Sequence, residues 1–190
     1  MTTTFECPPI EYAINEVFAR NSCNSIFGAC GFSISLVALQ AGISMSTGQP
    51  FFVWEVPKPL TTVIIDGEMG LALLGPIALD NLYFVSSDDM ETQAGKPINI
   101  TDRETQVGLE RYLSRIGAKV VIFDNLSSLC GGVDENANQD QHAYLSWFDR
   151  LRSLDYTVIF TDHKGKDSKR QGPRGASKKE DFVHTSIEIS

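Results

Sequence analysis

Polar residues that could carry out chemistry follow four apolar segments of this sequence. The first segment leads into a glycine-containing turn, and the other three end in polar groups: Asp66 and Glu68, Asp124 and Asn125, and Thr161, Asp162 and His163. Carboxylates can hold a divalent cation or accept a proton from water, and a histidine can contact an anion. Together these residue types suit phosphoryl hydrolysis, in which a protein positions phosphates, neutralises charge with Mg²⁺ and orients a water molecule.

The glycine-containing turn lies where a phosphate-binding loop would lie. In the pattern G-x-x-x-x-G-K-[ST], backbone N–H groups surround the phosphates, the lysine reaches the outer phosphates and the hydroxyl holds magnesium. Aligned on the first glycine, Ser33 replaces the second glycine and Ile34 replaces the lysine, whereas Ser35 keeps the hydroxyl. Such a turn is, by itself, more often structural. The predicted cradle is Gly28, Ala29, Cys30, Gly31, Phe32, Ser33, Ile34 and Ser35.

The elements that would position these residues alternate along the chain. Apolar runs predict strands at residues 26–27, 62–66, 82–86, 119–124, 156–161 and 184–190, and helical spacing predicts helices at 10–18, 33–45, 101–117 and 138–154. Residues 51–59 are predicted to be an irregular connector and the acidic stretch before Pro97 a loop. Alternation predicts an α/β fold with a mainly parallel sheet and helices on both faces. Ligands bind such sheets at the carboxyl ends of the strands, where the four polar endings would meet.

Each polar ending has a possible role in the predicted site. Asp124 could hold magnesium directly or through water, and Ser35 could complete the magnesium shell. Glu68 could act as general base on the attacking water, and His163 could sense the terminal phosphate. Each also has a structural alternative. An acid after a strand is often a helix cap or turn former, and a single histidine such as His163 is more often a satisfied loop residue.

The length, composition and charge of the chain limit its possible domain number, cellular location and partners. The length of 190 residues predicts a single domain, residues 1–190, with a lead-in helix inside residues 1–24, and the 42% hydrophobic share can supply its core. The four cysteines form no C-x-x-C pair, which argues against a zinc site or disulfide framework and favours a cytoplasmic location. No apolar run approaches the ~20 residues of a membrane span, so no such span is expected. The net charge is −8, yet residues 164–179 hold seven basic residues and one acid. This basic segment could contact the phosphates of a nucleotide or of a single DNA strand, or be a solvated loop.

An ordered set of segments resembles one family of ATPases. The segments are Gly28–Ser35, Thr47–Pro57, Asp66–Met69, Val121–Asn125, His163–Lys166 and Arg174–Asp181. In this order they look like the successive blocks of the RepA-like, RecA-fold ATPases, AAA family ATPases of mobile elements that include hexameric plasmid replicative helicases of DNA replication.

The resemblance implies a RecA-like P-loop NTPase core that uses ATP and Mg²⁺. It also implies that Glu68 is the catalytic glutamate, Asp124 the second-motif aspartate and His163 the sensor of the terminal phosphate. Arg174 is implied to act as an arginine finger across the subunit interface of a homo-oligomeric ring.

The sequence departs from the family pattern in ways that bear on activity. Ile34 replaces the loop lysine, Ser33 replaces a glycine, and Phe32 is bulkier than the small residue expected there. The stretch between Glu68 and Leu82 is shorter than usual, and the chain ends at Ser190 where relatives continue with further strands.

We therefore expect binding of ATP and magnesium with weakened hydrolysis, with Lys164 or Lys166 as candidates to replace the missing cation. The alternatives are a catalytically inactive family member that serves as an oligomer partner or DNA-associated scaffold, and a truncated gene product.

Overall fold

A parallel sheet forms the centre of the molecule. The computed structural model describes residues 9–29, 33–74, 77–131, 138–163 and 181–190. In chain order the strands are β1 (Tyr12–Ile14), β2 (Phe18–Ala19), β3 (Cys23–Gly28), β4 (Thr62–Asp66), β5 (Leu82–Ser86), β6 (Val120–Asp124), β7 (Thr157–His163) and β8 (Thr185–Ile189). Strands β1 and β2 pair as a separate antiparallel hairpin, and the other six form one sheet in the order β5-β4-β6-β7-β3-β8. Every neighbouring pair in this sheet is parallel, which confirms the predicted fold class.

Helices pack on both faces of the sheet. They are α1 (Ile34–Thr47), α2 (Leu71–Leu74), α3 (Ser87–Ala94), α4 (Arg103–Arg115), α5 (Leu126–Leu129) and α6 (Asn138–Ser153). Within β4, Val63 and Ile65 belong to one core cluster with α4 and α6, whereas Ile64 belongs to a second cluster with α1. Successive side chains of a strand point to opposite faces, so a strand covered on both sides must be apolar throughout. None of the described helices is long and apolar enough to cross a membrane.

Strand β3 and helix α1 carry the two ends of the predicted cradle. Helix α1 begins at Ile34, directly after Ser33, and ends at Gly48, whose φ of 76° gives the left-handed cap that glycine adopts without strain. Gly28, the last residue of β3, lies so close to the neighbouring strand that a Cβ atom would be 2.7 Å from the carbonyl oxygen of Ile189. Only glycine fits this position, so the turn between β3 and α1 leaves the sheet immediately beside β8.

The predicted helix at residues 10–18 is wrong. These residues form the β1–β2 hairpin, in which Glu16 has a φ of 61° that a helix cannot contain. Ile14 and Phe18 are both fully buried, as the apolar spacing predicted, but from opposite arms of the hairpin. The backbone N–H of Asn15 donates to the carbonyl of Glu55 at 2.9 Å, so a tertiary contact holds the hairpin against the 51–59 connector.

The stretch predicted to be an acidic loop also differs. Residues 87–94 form helix α3, which ends at Gly95 with a φ of 75°. Asp88 and Asp89 lie in its first turn, where negative charge interacts favourably with the helix dipole. The acids that suggested a loop therefore stabilise the start of a helix.

Helix α4 uses a different cap from the predicted one. The sequence pattern indicated Thr101 with Glu104, but the N-cap residue is Asp102, whose carboxylate accepts from the N–H of Thr105 at 2.8 Å. Glu104 instead pairs with Lys96 at 2.9 Å. Aspartate is at least as good a cap as threonine, so the helix begins one residue later than predicted.

Candidate functional site

The sheet brings the predicted polar strand ends to one edge. Strands β4, β6, β7 and β3 are consecutive neighbours, and they run parallel. In the register of the sheet, Asp66 lies opposite Asp124 and Gly28 lies opposite His163. The strand order, which the sequence did not reveal, thus places the carboxylates beside the glycine turn and the histidine.

Asp124 is the centre of this edge, and it is fully buried. Its Oδ1 accepts a hydrogen bond from Ser35 Oγ at 3.0 Å and another from Thr161 Oγ1 at 2.6 Å. Its Oδ2 is also buried and has no partner among the described residues. Two hydroxyls therefore fix one carboxylate oxygen and leave the other available to a ligand.

Burial raises the pKa of Asp124 from 3.8 to about 6. The hydrogen bonds from Thr161 and Ser35 lower this pKa, while the nearby charges of Asp66 and Glu68 raise it further. A carboxylate removed from water loses hydration that favours its ionised form, so protonation becomes easier. A cation beside Asp124 would replace that lost hydration and favour the ionised form again.

Asp124 is expected to make the folded chain less stable as the pH rises from about 4 to above 6. The folded state keeps the Asp124 proton up to a pKa of about 6, whereas the unfolded state releases it near 3.8. The free energy of unfolding should therefore fall by about 3 kcal/mol across this range because of Asp124 alone. Asp124→Asn should remove this part of the pH dependence. Urea denaturation of both proteins at several pH values tests it, and equal pH slopes would contradict it.

Glu68 and His163 lie close together near Asp124. Glu68 Oε1 is 3.8 Å from His163 Nε2 and accepts from Ser128 Oγ at 3.4 Å. His163 Nε2 is also 3.3 Å from Asn125 Nδ2. The Glu68 side chain is 40% exposed, so a water molecule can reach its carboxylate. This cluster combines a solvent-accessible base with a histidine at the same edge as the buried aspartate.

Asp66 has a structural role at this edge. It is buried, and its carboxylate accepts from the N–H of Met69 at 2.9 Å and from the N–H of Gly70 at 2.7 Å. These bonds close the turn that carries Glu68. Asp66 thus takes the structural alternative for an acid after a strand, that of a turn former.

Two hydroxyl residues of the site were missed as functional residues. The sequence predicts Thr161 only as a polar strand end, and it assigns no role to Ser128. Asn125 caps α5 by accepting from the N–H of Ser128 at 3.1 Å, and this turns Ser128 towards Glu68. The spacing of Asn125 and Ser128 is a helix-start signal that could have predicted the placement of Ser128.

The loop itself is described only in part. Ile34 is 5% exposed and packs in the same core cluster as Ala38, whereas Ser33 is exposed. Ala29 lies between β3 and the undescribed part of the turn. The other predicted residues and segments lie outside the described residues: Cys30, Gly31, Phe32, Lys164, Lys166, Arg174 and the basic segment 164–179.

The donor set suits magnesium shared with a phosphate. Among the described residues, no three His, Cys, Asp or Glu side chains are grouped to hold a metal ion. Magnesium does not need such a group, because it keeps several waters and usually takes one or two protein oxygens together with substrate phosphates. Ser35 and Asp124 offer hard oxygen donors, and the unpaired Oδ2 of Asp124 can accept from a metal-bound water. The residues present therefore fit the ion that the resemblance implies.

Comparison with known proteins agrees with this architecture. Residues 3–169 match a family model described as "AAA domain". The fold is similar to the crystal structure of a KaiC-like protein from the hyperthermophilic archaeon Pyrococcus horikoshii OT3, with a TM-score of 0.60 and 12% identity over 96% of this chain and 82% of that chain. No curated protein matches the chain. At this identity the structural match shows the fold alone.

Proposed function

Because this chain belongs to the AAA domain family of P-loop ATPases, we propose that it binds ATP with Mg²⁺ at the carboxyl ends of β3, β6 and β7 and hydrolyses it slowly. One observation carries this proposal. The hydroxyl of Ser35, at the start of α1, donates to the buried carboxylate of Asp124 at the end of β6. A hydroxyl and an aspartate paired in this way are the magnesium-binding elements of P-loop nucleotide sites.

Ser35 and Asp124 are proposed to hold magnesium together with the phosphates. Thr161 fixes Asp124 Oδ1 at 2.6 Å, so Oδ2 keeps a constant position. Magnesium would neutralise the charge that develops on the phosphate oxygens. The N–H groups of the turn after Gly28 and at the start of α1 would surround the phosphates, because a helix start attracts anions.

Glu68 is proposed to take the proton from the attacking water. Its exposed carboxylate is held by Ser128, which keeps it near His163. His163 would contact the terminal phosphate through its ring, and Asn125 Nδ2 contacts Nε2 of that ring at 3.3 Å. Removal of the water proton and stabilisation of the terminal phosphate would then come from one connected group of side chains.

Slow hydrolysis of ATP is expected because Ile34 stands where the usual loop has a lysine. A lysine at this position reaches the outer phosphates in the usual loop, and the resulting charge-assisted hydrogen bonds are each worth about 1.5–3 kcal/mol. The side chain of Ile34 is buried among apolar residues and cannot make such a bond. Lys164 and Lys166 remain candidates for the missing charge.

The proposal is tested by isothermal titration calorimetry with a non-hydrolysable ATP analogue, with and without Mg²⁺. Ser35→Ala should weaken the magnesium-dependent part of the affinity at least about tenfold, because one oxygen near the ion is lost. Ser114→Ala, an exposed serine on α4, is the matched control and should bind like the native chain. Absence of binding heat for the native chain at high micromolar analogue would contradict the proposal.

Within this function we propose that the chain is a RepA-like, helicase-related ATPase that forms a homo-oligomer. Arg174 of one subunit would complete the site of the next, and the basic segment 164–179 would contact single-stranded DNA. The ordered sequence blocks support this finer proposal. Stimulation of ATP hydrolysis by single-stranded DNA, lost in Arg174→Ala, would support it further. Affinity for single-stranded DNA that does not change with salt would argue against the phosphate contacts.

The burial of Ile34 favours a second candidate, a catalytically inactive family member that acts as an oligomer partner or DNA-associated scaffold. It would bind nucleotide or DNA without turnover. A sensitive phosphate-release assay on the native chain separates the two candidates, since any turnover abolished by Glu68→Gln belongs to the first.

A further inference from the structure

Asn125 lies between two side chains of the candidate nucleotide site. It directly follows β6 and is 2% exposed. Its Oδ1 accepts from the backbone N–H of Ser128 at 3.1 Å, and its Nδ2 is 3.3 Å from Nε2 of His163. The hydroxyl of Ser128 in turn donates to Glu68. One amide group therefore connects, through Ser128, the proposed general base with the histidine.

The orientation of the Asn125 amide is fixed by the chain itself. A backbone N–H can only donate, so the amide atom that accepts from Ser128 must be the carbonyl oxygen. The amide nitrogen, which carries two hydrogens and accepts none, must then be the atom that faces His163. Asn125 is therefore the donor in its 3.3 Å contact with the ring.

This contact determines which nitrogen of His163 carries the proton. A neutral imidazole has one N–H donor and one acceptor nitrogen, and the hydrogen bond made by one nitrogen sets the state of the other. Because Nε2 accepts from Asn125, the proton lies on Nδ1. Glu68 Oε1 favours the opposite form, but at 3.8 Å from Nε2 it is beyond hydrogen-bond distance. The shorter contact, which is the one with Asn125, decides the tautomer.

The Nδ1 atom of His163 is a buried donor that lacks an acceptor. It has no hydrogen-bond partner among the described residues. A buried N–H group without a partner is costly, and such groups are typical of catalytic sites and of positions where water or an ion binds. Gly28, on β3, lies opposite His163, while Asn125 follows β6 on the other side of β7. The nitrogen that Asn125 leaves free is thus available to a ligand of the glycine turn.

We propose that Asn125 is a positioning residue that holds His163 in the Nδ1–H form, so that Nδ1 donates to the terminal phosphate of the bound nucleotide. The phosphate in this inference rests on the proposed function, whereas the tautomer rests on hydrogen bonds within the chain alone. The same arrangement keeps Glu68 free as a base, because an Nε2–H group beside it would donate to its carboxylate and compete with water. Asn125 thereby keeps the donor and the base on separate side chains.

The tautomer is measured directly by heteronuclear NMR of the isotope-labelled chain without nucleotide. The chemical shift of each ring nitrogen reports whether that nitrogen carries a hydrogen, and couplings to the ring protons distinguish Nδ1 from Nε2. The chain has three histidines, and a His163→Gln variant identifies the signals of His163 by their loss. At about pH 8, where an imidazole is mostly neutral, we expect the hydrogen of the native ring on Nδ1. A native ring with its hydrogen on Nε2 overturns the proposal.

Asn125→Ser removes the donor to the ring and keeps the helix cap. Serine is a good N-cap residue, so its hydroxyl can still accept from the N–H of Ser128, but it lacks the amide that reaches His163. The proton should then move to Nε2, which has Glu68 as an acceptor 3.8 Å away. Asn125→Asp, a second variant of nearly the same size, keeps the cap and offers the ring an acceptor in place of a donor. A ring that stays in the Nδ1–H form in either folded variant overturns the proposal.

Ser127→Ala is the matched control. It removes a hydroxyl from the same helix, α5, and this hydroxyl has no partner among the residues that the structure describes. The Asn125 amide and the His163 ring keep all their contacts, so the ring should stay in the Nδ1–H form. A tautomer change in Ser127→Ala equal to that in Asn125→Ser would mean that any disturbance of α5 moves the proton, which contradicts a specific role of the amide.

Nucleotide affinity tests whether the tautomer serves the terminal phosphate. By calorimetry, Asn125→Ser should weaken binding of the non-hydrolysable ATP analogue about tenfold, because Nδ1 no longer donates to its terminal phosphate, and should leave the affinity for ADP within about threefold. Equal losses for the two nucleotides would overturn this role, since Asn125 would then only maintain the structure of the site. A native chain that binds neither nucleotide overturns the proposed function and the phosphate contact with it, whereas the ring spectra still decide the tautomer.

Discussion

Replacing Ile34 with lysine is expected to raise the rate of ATP hydrolysis about 10- to 100-fold over the native chain. Ile34 is the first residue of α1 and directly precedes Ser35, so a lysine there would stand beside the magnesium ligands. One restored charge-assisted hydrogen bond to the outer phosphates is worth about 1.5–3 kcal/mol, and 1.4 kcal/mol corresponds to a factor of ten. The gain requires that the bond is stronger in the transition state than in the ground state.

The surroundings of Ile34 can accept the longer side chain. The Cδ1 of Ile34 lies 3.5 Å from the point that a Cβ atom on Gly28 would occupy. The aliphatic part of a lysine can fill the apolar space of the Ile34 side chain while its ammonium extends towards the turn. Phosphate release measured under single-turnover conditions gives the rate. Ile34→Met, which keeps the burial without adding a charge, should match the native chain. Equal rates for the lysine variant and the native chain would show that the missing lysine does not limit this site.

Replacing Glu68 with glutamine is expected to lower the rate of hydrolysis about 10²- to 10⁴-fold, the usual contribution of a general base. The amide keeps the size of the side chain and can still accept from Ser128, so the turn closed by Asp66 should be preserved. The affinity for the ATP analogue with magnesium should therefore stay within about threefold of the native value.

The Ile34→Lys background makes this second measurement practical if native turnover is slow. Glu91→Gln, an exposed acid on α3, is the control for loss of one negative charge and should leave the rate unchanged. An unaffected rate in Glu68→Gln would mean that another group takes the proton. A joint loss of rate and affinity would mean that Glu68 maintains the structure of the site.

Strands of the main sheet could be predicted from sequence because their signal is local. Strands β4 and β5 begin and end at the predicted residues, since each is a run of apolar, mostly β-branched or aromatic residues bounded by turn formers. Helix α1 ends at the predicted glycine for the same reason. Strand β4 is buried on both faces, which leaves few choices of residue and makes its pattern clear.

Prediction failed where distant contacts decide local structure. The spacing of Ile14 and Phe18 suits a helix equally well, but the bond from Asn15 to the connector at Glu55 holds a hairpin instead. Helix α3 was missed because its residues are polar, and an exposed helix leaves a weak apolar pattern.

The sequence by itself determined the fold class, the presence of the six strands of the main sheet and the edge at which polar residues collect, because parallel strands joined by helices must end on the same side. Only the tertiary structure decided which strands are neighbours. It brought the hydroxyls of Ser35 and Thr161 to the carboxylate of Asp124 and gave Asp66 a structural role. The order of strands is set by the packing of the whole core, and no local pattern of residues contains it.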